Sequence, residues 1–152
     1  MSNSSSVPGW VAVEAILRAG QAAIEELHRR LGERGHPDVR PAHGYAFQAI
    51  GADGATAGEV GKRLGVTKQA AGQMVDELER LGYVTREPDP ADGRRRLVKL
   101  TPRGFDCLRA SAEIFDELLA EWRAVAPGVD GAVGALEQLA GLYGGAELRP
   151  IW

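Results

Sequence analysis

The chain has 152 residues, of which 44% are hydrophobic and 26% are charged, and its formal net charge is −3. This length and balance exclude a mostly disordered chain and predict one globular domain with a core of its own. The single cysteine, Cys107, excludes an internal disulfide and any zinc site that needs two cysteines.

The first residues of the chain and its apolar runs predict neither a signal peptide nor a membrane span. Residues 1–9 are rich in serine and lack the basic and apolar segments of a signal peptide, so we predict a disordered tail here. No run of about 20 apolar residues occurs, so the sequence predicts no membrane span. The expected compartment is therefore the cytoplasm.

The first predicted elements are a long helix and a short one. From Trp10 to Leu31, apolar or small side chains recur at alternating steps of three and four residues, which places them on one helical face. Glycines and a proline within residues 32–37 end this helix. A short second helix is expected from Pro41 to Ile50.

Two further helices follow, separated by a tight turn. Thr56 and Glu59 fit a capping box at the start of the third helix, which ends at Leu64. After the turn, Thr67 can cap a fourth helix, and Gly82 closes it.

A hairpin and two more helices complete the pattern. The strands are predicted at residues 83–86 and 97–100, joined by a loop rich in Pro, Asp and Gly. Thr101 starts a fifth helix that reaches Ala126, and a sixth covers residues 129–143. The inner stripe predicted for the fifth helix consists of Phe105, Leu108, Ala112, Phe115, Leu119, Trp122 and Ala126.

The order α-α-α-α-β-β-α-α predicts a mainly helical winged helix-turn-helix, in which the hairpin is the wing. Residues 41–101 would form the lobe that contains the helix-turn-helix and the wing. The outer helices, within residues 10–34 and 102–145, carry apolar stripes that one small lobe cannot fully cover. These helices are therefore predicted to form a dimerisation region.

One segment of the chain is basic, although the total charge is negative. Ten basic and six acidic residues lie between Lys62 and Arg103, so this segment carries +4 while the rest of the chain carries −7. A polyanion responds to the local charge rather than to the total. The segment therefore permits a nucleic-acid partner.

The outward face of the fourth helix suits the major groove of DNA. Its start, at Thr67 and Lys68, offers free backbone N–H groups and a hydroxyl for a phosphate. The amides of Gln69 and Gln73 can pair with adenine. A plain solvated helix face is the alternative interpretation of these residues.

The hairpin loop strengthens the interpretation that this segment binds DNA. It carries three consecutive arginines, Arg94, Arg95 and Arg96, after a stiff Pro-Asp stretch. An arginine at the tip of a wing can enter a narrow minor groove, where the negative potential is strongest. Asp92 lies two residues before Arg94 and would hold either its guanidinium or the turn. The alternative is a charged loop that only keeps the hairpin soluble.

Residues 92–101, Asp-Gly-Arg-Arg-Arg-Leu-Val-Lys-Leu-Thr, resemble the wing signature of the MarR family of bacterial transcriptional regulators, including the glycine that follows at Gly104. Residues 65–84 resemble the family's recognition helix and its exit. The resemblance implies a MarR-type winged helix domain over residues 10–145 and a homodimer whose first, fifth and sixth helices intertwine. It also implies binding to palindromic double-stranded operators and release by a small aromatic or phenolic effector. Residues 70–72, Ala-Ala-Gly, depart from the family pattern and leave the base preference open.

These observations and the resemblance predict a regulator rather than an enzyme, and the resemblance implies that the regulator is a repressor. The DNA contacts are assigned to Thr67, Lys68, Gln69, Gln73, Asp92, Arg94, Arg95 and Lys99. An effector pocket is expected between the dimerisation helices and the lobe, lined by Trp10, Ile16, His43, Tyr45 and Phe47.

Other classes of protein fit less well. The sequence has neither a Gly-x-Ser-x-Gly motif nor a nucleotide-binding loop, so we expect no enzyme activity and no cofactor. Cys107 is predicted to be a buried, inert thiol. No metal site is predicted because His28, His36 and His43 lack acidic partners at ligand spacing, although zinc sensing by relatives keeps that question open. A winged helix used only for protein–protein contact is the remaining alternative, and the basic wing argues against it.

Overall fold

The structure is a computed structural model that describes residues 7–142, and its element order confirms the predicted winged helix-turn-helix. The elements are α1 (Gly9–Glu33), α2 (Pro41–Ile50), α3 (Ala57–Leu64), α4 (Lys68–Arg80), β1 (Val84–Pro88), β2 (Arg96–Leu100), α5 (Pro102–Val125) and α6 (Val129–Leu142). The tail predicted over residues 1–9 lies outside the described residues up to residue 6, and Gly9 is already helical. The predicted end of the last helix, residues 143–145, also lies outside them.

The helix-turn-helix is fixed by local hydrogen bonds at each helix end. The Thr56 hydroxyl oxygen accepts the Glu59 backbone N–H at 3.2 Å, and the Glu59 carboxylate accepts the Thr56 N–H at 2.7 Å. Gly65 ends α3 in the left-handed conformation, at a φ of 70°. Thr67 then caps α4 by accepting the Ala70 N–H at 3.1 Å. The predicted capping box and second cap are thus confirmed.

We expect Thr56→Ala to lower the free energy of unfolding by about 1 kcal/mol, because the first turn of α3 loses its hydroxyl acceptor. Urea unfolding followed by circular dichroism measures this loss. Thr56→Ser keeps the hydroxyl and should unfold close to the parent. An equal loss in both variants would assign the effect to the methyl group and contradict a capping role.

The wing is a two-stranded antiparallel hairpin that runs further into the loop than predicted, with Val84 opposite Leu100 at its base. A single residue outside the hairpin pairs with its second strand. The Ala55 N–H donates to the Val98 carbonyl at 3.1 Å, and the Val98 N–H donates to the Ala55 carbonyl at 2.8 Å. Because Ala55 lies two residues before α3, this pairing joins the wing to the start of the helix-turn-helix.

The core lies where the lobe meets the second half of α1 and the first two-thirds of α5. The largest side chains that are fully buried there include Phe47, Leu78, Tyr83 and Ile114. A polar link crosses the same region, since the buried His36 places Nδ1 3.2 Å from the Tyr83 hydroxyl. Its Nε2 lies 3.0 Å from a carboxylate oxygen of α5, on Asp106. The end of α1, the exit of α4 and the start of α5 are joined by this link.

The inner face of α5 differs from the predicted stripe by one position. Its buried residues are Gly104, Cys107, Ala110, Ile114 and Leu118. Phe105, Phe115 and Trp122 of the predicted stripe are exposed instead. The reason is a close approach: a Cβ atom on Gly104 would lie 2.4 Å from the Tyr83 carbonyl oxygen, so the start of α5 contacts the lobe through the face that carries this glycine.

A second apolar surface covers the outer parts of the helices. Trp10 in α1 is 70% exposed, and Val125 at the end of α5 is 83% exposed. The described part of α6 contains no buried residue at all. Between α1, α5 and α6 lies a groove whose apolar wall includes Leu118, Trp122 and Leu136. Within residues 7–142, no helix is long and apolar enough to cross a membrane.

Candidate nucleic-acid interface

The predicted recognition face lies open on α4. Lys68, Gln69 and Gln73 are exposed on the same side of this helix, with the small Gly72 among them. Thr67 is also exposed, but its hydroxyl oxygen already accepts the Ala70 N–H as the helix cap. The face therefore offers two amides and one ammonium on a helix whose backbone can approach a partner closely.

The turn at the tip of the wing is held by Asp92. Its carboxylate accepts the Arg94 N–H at 3.0 Å, and its backbone carbonyl accepts the Arg95 N–H at 2.9 Å. Of the two roles considered for Asp92, the structure thus shows the turn. The guanidinium of Arg94 is exposed and pairs with no carboxylate within the described part of the chain.

Two of the predicted cationic contacts are engaged in ion pairs. Arg95 places Nη2 3.2 Å from a carboxylate oxygen of Glu59 in α3 and Nη1 3.8 Å from Asp89. Lys99 Nζ lies 3.2 Å from Glu87 on the opposite strand. The backbone N–H and hydroxyl of Thr56 hold the pKa of the Glu59 carboxyl below its usual range, and Arg95 adds to this effect. Both cations are thus paired with acidic side chains in the free protein.

The start of α3, the start of α4 and the wing enclose a basic cleft of about 440 Å³. Its lining residues are Thr56, Ala57, Gly58, Lys68, Arg94, Arg95 and Arg96. Four of these residues are cationic, and no acidic residue is among the described residues that line the cleft. The cleft brings Lys68 together with the wing arginines, whereas Gln69, Gln73, Asp92 and Lys99 lie outside its lining. An arrangement of this kind suits the phosphates of a polyanion.

Arg86 is a further cation that pairs with acidic side chains of α4. It was not among the residues predicted from the sequence. Arg86 of β1 donates to Asp76 at 2.6 Å and to Glu79 at 2.5 Å. Asp76 borders the recognition face, so this pairing neutralises the acid nearest to it. The contact joins residues seven and ten positions apart across a turn, and no sequence motif marks it.

The predicted effector residues are not all in one place. A cavity of about 250 Å³ lies between α1, α2 and α5, and its lining includes Tyr45 and Phe47. Trp10 and Ile16 are exposed on the first half of α1 and do not line it. The remaining lining residues are Ile24, Leu27, His28, Leu31, Val39, Pro41, Gly44, Gln48, Cys107, Leu108, Ser111 and Phe115.

His43 is a structural link rather than part of the cavity wall. It is fully buried, and its Nδ1 accepts the Arg40 N–H at 3.2 Å at the start of α2. Its Nε2 therefore carries the proton and faces the Glu77 carboxylate of α4 at 3.4 Å. Burial lowers the pKa of the imidazole, and Glu77 opposes this shift. The side chain thus lies between α2 and the helix that carries the recognition face, and its Nε2 approaches Glu77 without forming a hydrogen bond.

Cys107 is buried in the cavity wall, as predicted, and burial raises the pKa of its thiol from 9.0 to about 11. We expect iodoacetamide at pH 8 to alkylate the folded protein about 100-fold more slowly than the urea-unfolded chain, because the thiolate is the nucleophile. Because the folded pKa is the higher one, the thiol's contribution to stability should be present below pH 9.0 and be lost towards pH 11. Equal alkylation rates in both states would contradict a buried, inert thiol.

Cys107→Ser tests the same prediction in the absence of denaturant. We expect peroxide to change the DNA binding of the variant no more and no less than that of the parent.

No group of three or more His, Cys, Asp or Glu side chains is arranged to hold a metal ion within residues 7–142.

Comparisons with known proteins agree with this geometry. The model of the MarR family matches residues 38–95. The uncharacterized HTH-type transcriptional regulator YcgE of Bacillus subtilis is 37% identical over 87 residues, which are 48% of this chain and 54% of that protein. The chain spans about half the length of the curated relatives that it matches, from 42% to 54%.

Solved structures share the fold over most of the chain. MarR of E. coli in its apo form has a TM-score of 0.64 and 26% identity, covering 88% of this chain and 97% of that one. The MepR–DNA complex of S. aureus has a TM-score of 0.65 and 21% identity, covering 85% of this chain and 96% of MepR. The second likeness concerns the fold alone.

Proposed function

The chain belongs to the MarR family through the domain of residues 38–95, and we propose that it is a homodimeric, sequence-specific regulator that binds palindromic double-stranded DNA in the cytoplasm. The observation that carries the proposal is the basic cleft between the starts of α3 and α4 and the wing. It lies beside an exposed polar helix face, so one lobe presents cations and base-reading amides together. A relative of the same fold was solved in complex with DNA.

In this proposal, the residues divide into base-reading and positioning groups. Gln69 and Gln73 read base edges in the major groove, and Thr67 and Lys68 bind the adjacent phosphates. Arg94 enters the minor groove. Arg95 and Lys99 contact phosphates from the sides of the wing, and Asp92 holds the turn that presents Arg94.

Dimerisation follows from the exposed apolar groove between α1, α5 and α6. A second copy of the chain would cover it and would place two lobes on one face of the DNA. Recognition helices of a two-fold dimer reach successive major grooves when they lie about 34–36 Å apart. Residues 10–34 and 102–145 would thus form the dimerisation region and residues 41–101 the DNA-binding lobe.

Selection from a random double-stranded DNA library tests the proposal directly. We expect the parent protein to enrich an inverted repeat and to bind it with an affinity that falls steeply with salt, since phosphate contacts release counterions. Fluorescence anisotropy at several salt concentrations measures the slope. Failure to enrich any DNA would favour the alternative function, a winged helix that contacts only proteins.

Effector control is the regulatory part of the proposal, with repression as the expected mode. The cavity of about 250 Å³ lies where α2 of the lobe meets α1 and α5, so a small aromatic molecule there would act on the junction between lobe and dimerisation helices. It need only bind one arrangement of the lobes better than the other. Operator affinity in the presence of phenols and aromatic acids at millimolar concentration tests this part, and unchanged affinity throughout the panel would contradict it.

A further inference from the structure

The ion pair between Arg95 and Glu59 joins the wing to α3 beside the basic cleft. Arg95 lines the cleft, and its Nη2 lies 3.2 Å from a carboxylate oxygen of Glu59. A second acid, Asp89, is more distant from the guanidinium, at 3.8 Å. About half of the side chain is exposed in both Arg95 and Glu59. Exposed ion pairs contribute little to stability, so the guanidinium can exchange Glu59 for another anion at small cost.

Glu59 is held in place on its side of the pair. Its other carboxylate oxygen accepts the Thr56 N–H at 2.7 Å and the Thr56 hydroxyl at 3.0 Å. These bonds hold the pKa of the carboxyl below its usual range, so the group is charged at neutral pH. They also anchor the carboxylate to the start of α3 through the capping box. When Arg95 turns to another anion, Glu59 therefore stays behind as a negative charge beside the cleft.

Arg95 differs in this respect from the other cations of the cleft. Lys68 and Arg94 pair with no carboxylate within residues 7–142. Arg96 donates to a backbone carbonyl, that of Arg86, at 3.5 Å. The described lining thus presents three cations without a countercharge and one cation whose charge is already balanced.

We infer that Glu59 sets the affinity of the cleft for DNA, because its carboxylate competes with a DNA phosphate for the guanidinium of Arg95. The inference rests on the proposed function, since it requires DNA to bind in the cleft. An ion pair carries no net charge, so Arg95 and Glu59 together add nothing to the attraction of phosphates. In the complex Arg95 exchanges one anion for another, and the released carboxylate faces the DNA. Removal of the Glu59 charge should therefore tighten binding, whereas removal of a side chain that only supports the wing would weaken it.

Glu59→Gln tests the inference, because glutamine has nearly the same shape without the charge. Its amide oxygen can still accept the Thr56 N–H, so the capping box is kept. We expect the variant to bind the selected operator about two- to fivefold more tightly than the parent, which is the range for one exposed ion pair. The plot of log affinity against log salt concentration should become steeper by about one, since one more net charge meets the phosphates. Anisotropy titrations at several salt concentrations give both values.

Further measurements separate competition for Arg95 from a general effect of charge. In an Arg95→Ala background, Glu59→Gln should lose most of its effect on affinity. Asp53→Asn is the matched control, since Asp53 is exposed on the loop before α3 and forms no ion pair within residues 7–142. We expect this control to bind like the parent. Because phosphate contacts carry no sequence information, the gain from Glu59→Gln should be the same for the operator and for a duplex of unrelated sequence.

A measurement on the parent chain does not depend on the folding of any variant. The ¹³C resonance of the Glu59 carboxylate should move when the operator duplex is added, because Arg95 leaves it. A resonance that stays in place would show that Arg95 remains paired, which overturns the inference.

The other outcomes separate this inference from the proposed function. Equal or weaker binding by Glu59→Gln, an equal gain in the Arg95→Ala background, or a gain confined to the operator would each overturn the inference. In each of these cases the parent still binds DNA, so the proposed function stands. A parent chain that binds neither duplex would contradict the proposed function, and the inference with it.

Discussion

Leu136→Asp should abolish dimerisation, so that sedimentation velocity gives the 16.2 kDa mass of one chain instead of twice that mass. Leu136 lies in the wall of the groove between α1, α5 and α6, next to Val133 and Trp122, and is 41% exposed in the single chain. A carboxylate buried there by a second copy would find no free countercharge among the described lining residues, since Arg30 is already paired with Glu26 and Glu121. Such burial costs several kcal/mol.

The same variant should be less stable than the parent at equal protein concentration. In the described part of the chain α6 has no buried residue, so in the proposed dimer the helix would gain its packing from the partner. Interfaces of obligate dimers bury more than about 2,000 Å² and resemble a core. The midpoint of urea unfolding of the parent should therefore rise with protein concentration.

Gln138→Asp is the matched control for this experiment. It adds the same charge two residues further along α6, which places it towards the other side of the helix. We expect this variant to remain a dimer. A parent chain that sediments as a stable, folded monomer would contradict the dimer proposal, and the exposed apolar residues would then need another partner.

Arg94→Ala should weaken binding to the selected operator by about 1–3 kcal/mol, which is the usual effect of losing a specific arginine contact. Arg94 is exposed, its backbone is held by Asp92, and its guanidinium has no carboxylate partner within residues 7–142. Removal of the guanidinium therefore leaves the fold intact. The free energy of unfolding of Arg94→Ala should stay within about 0.5 kcal/mol of the parent's.

Anisotropy titrations at one salt concentration measure this loss. Arg18→Ala removes the same charge from an exposed position on α1 and serves as the control, since the one ion pair of Arg18 within residues 7–142 is with Glu14 at 3.8 Å. We expect the control to bind the operator like the parent. Equal affinities of Arg94→Ala and the parent would refute a role for the wing tip and leave α4 as the reading element.

The elements defined by local interactions were predictable from the sequence. The caps at Thr56 and Thr67 and the helix end at Gly65 depend on residues within three or four positions of one another. The local sequence pattern is therefore enough to predict them. The inner face of α5 depends on the contact of Gly104 with the Tyr83 carbonyl, which joins residues 21 positions apart. A periodicity argument favoured the larger apolar residues and therefore selected the exposed face.

In the candidate site, too, local features were predictable from the sequence and contacts between distant residues were not. The exposure of Lys68, Gln69 and Arg94 followed from their positions on a helix face and a loop. The pairing of Arg95 with Glu59, 36 positions away, depends on where the wing folds against α3. His43 was assigned to the pocket because it lies near two aromatic residues in the sequence. Its hydrogen bond to Arg40 at the start of α2 orients it towards α4 instead.

The pairing of Ala55 with Val98 has a consequence for the entropy of DNA binding. The base of the wing is hydrogen-bonded to the segment before α3, and its tip is closed by hydrogen bonds that Asp92 accepts from the Arg94 and Arg95 N–H groups. The backbone around Arg94 is therefore already ordered in the free protein. On binding, mainly the Arg94 side chain loses conformational freedom, at about 0.5–1.5 kcal/mol for a long side chain. A wing whose base lacked these backbone hydrogen bonds would have to order several backbone residues as well. The loss of backbone entropy would cost about 1–2 kcal/mol for each residue.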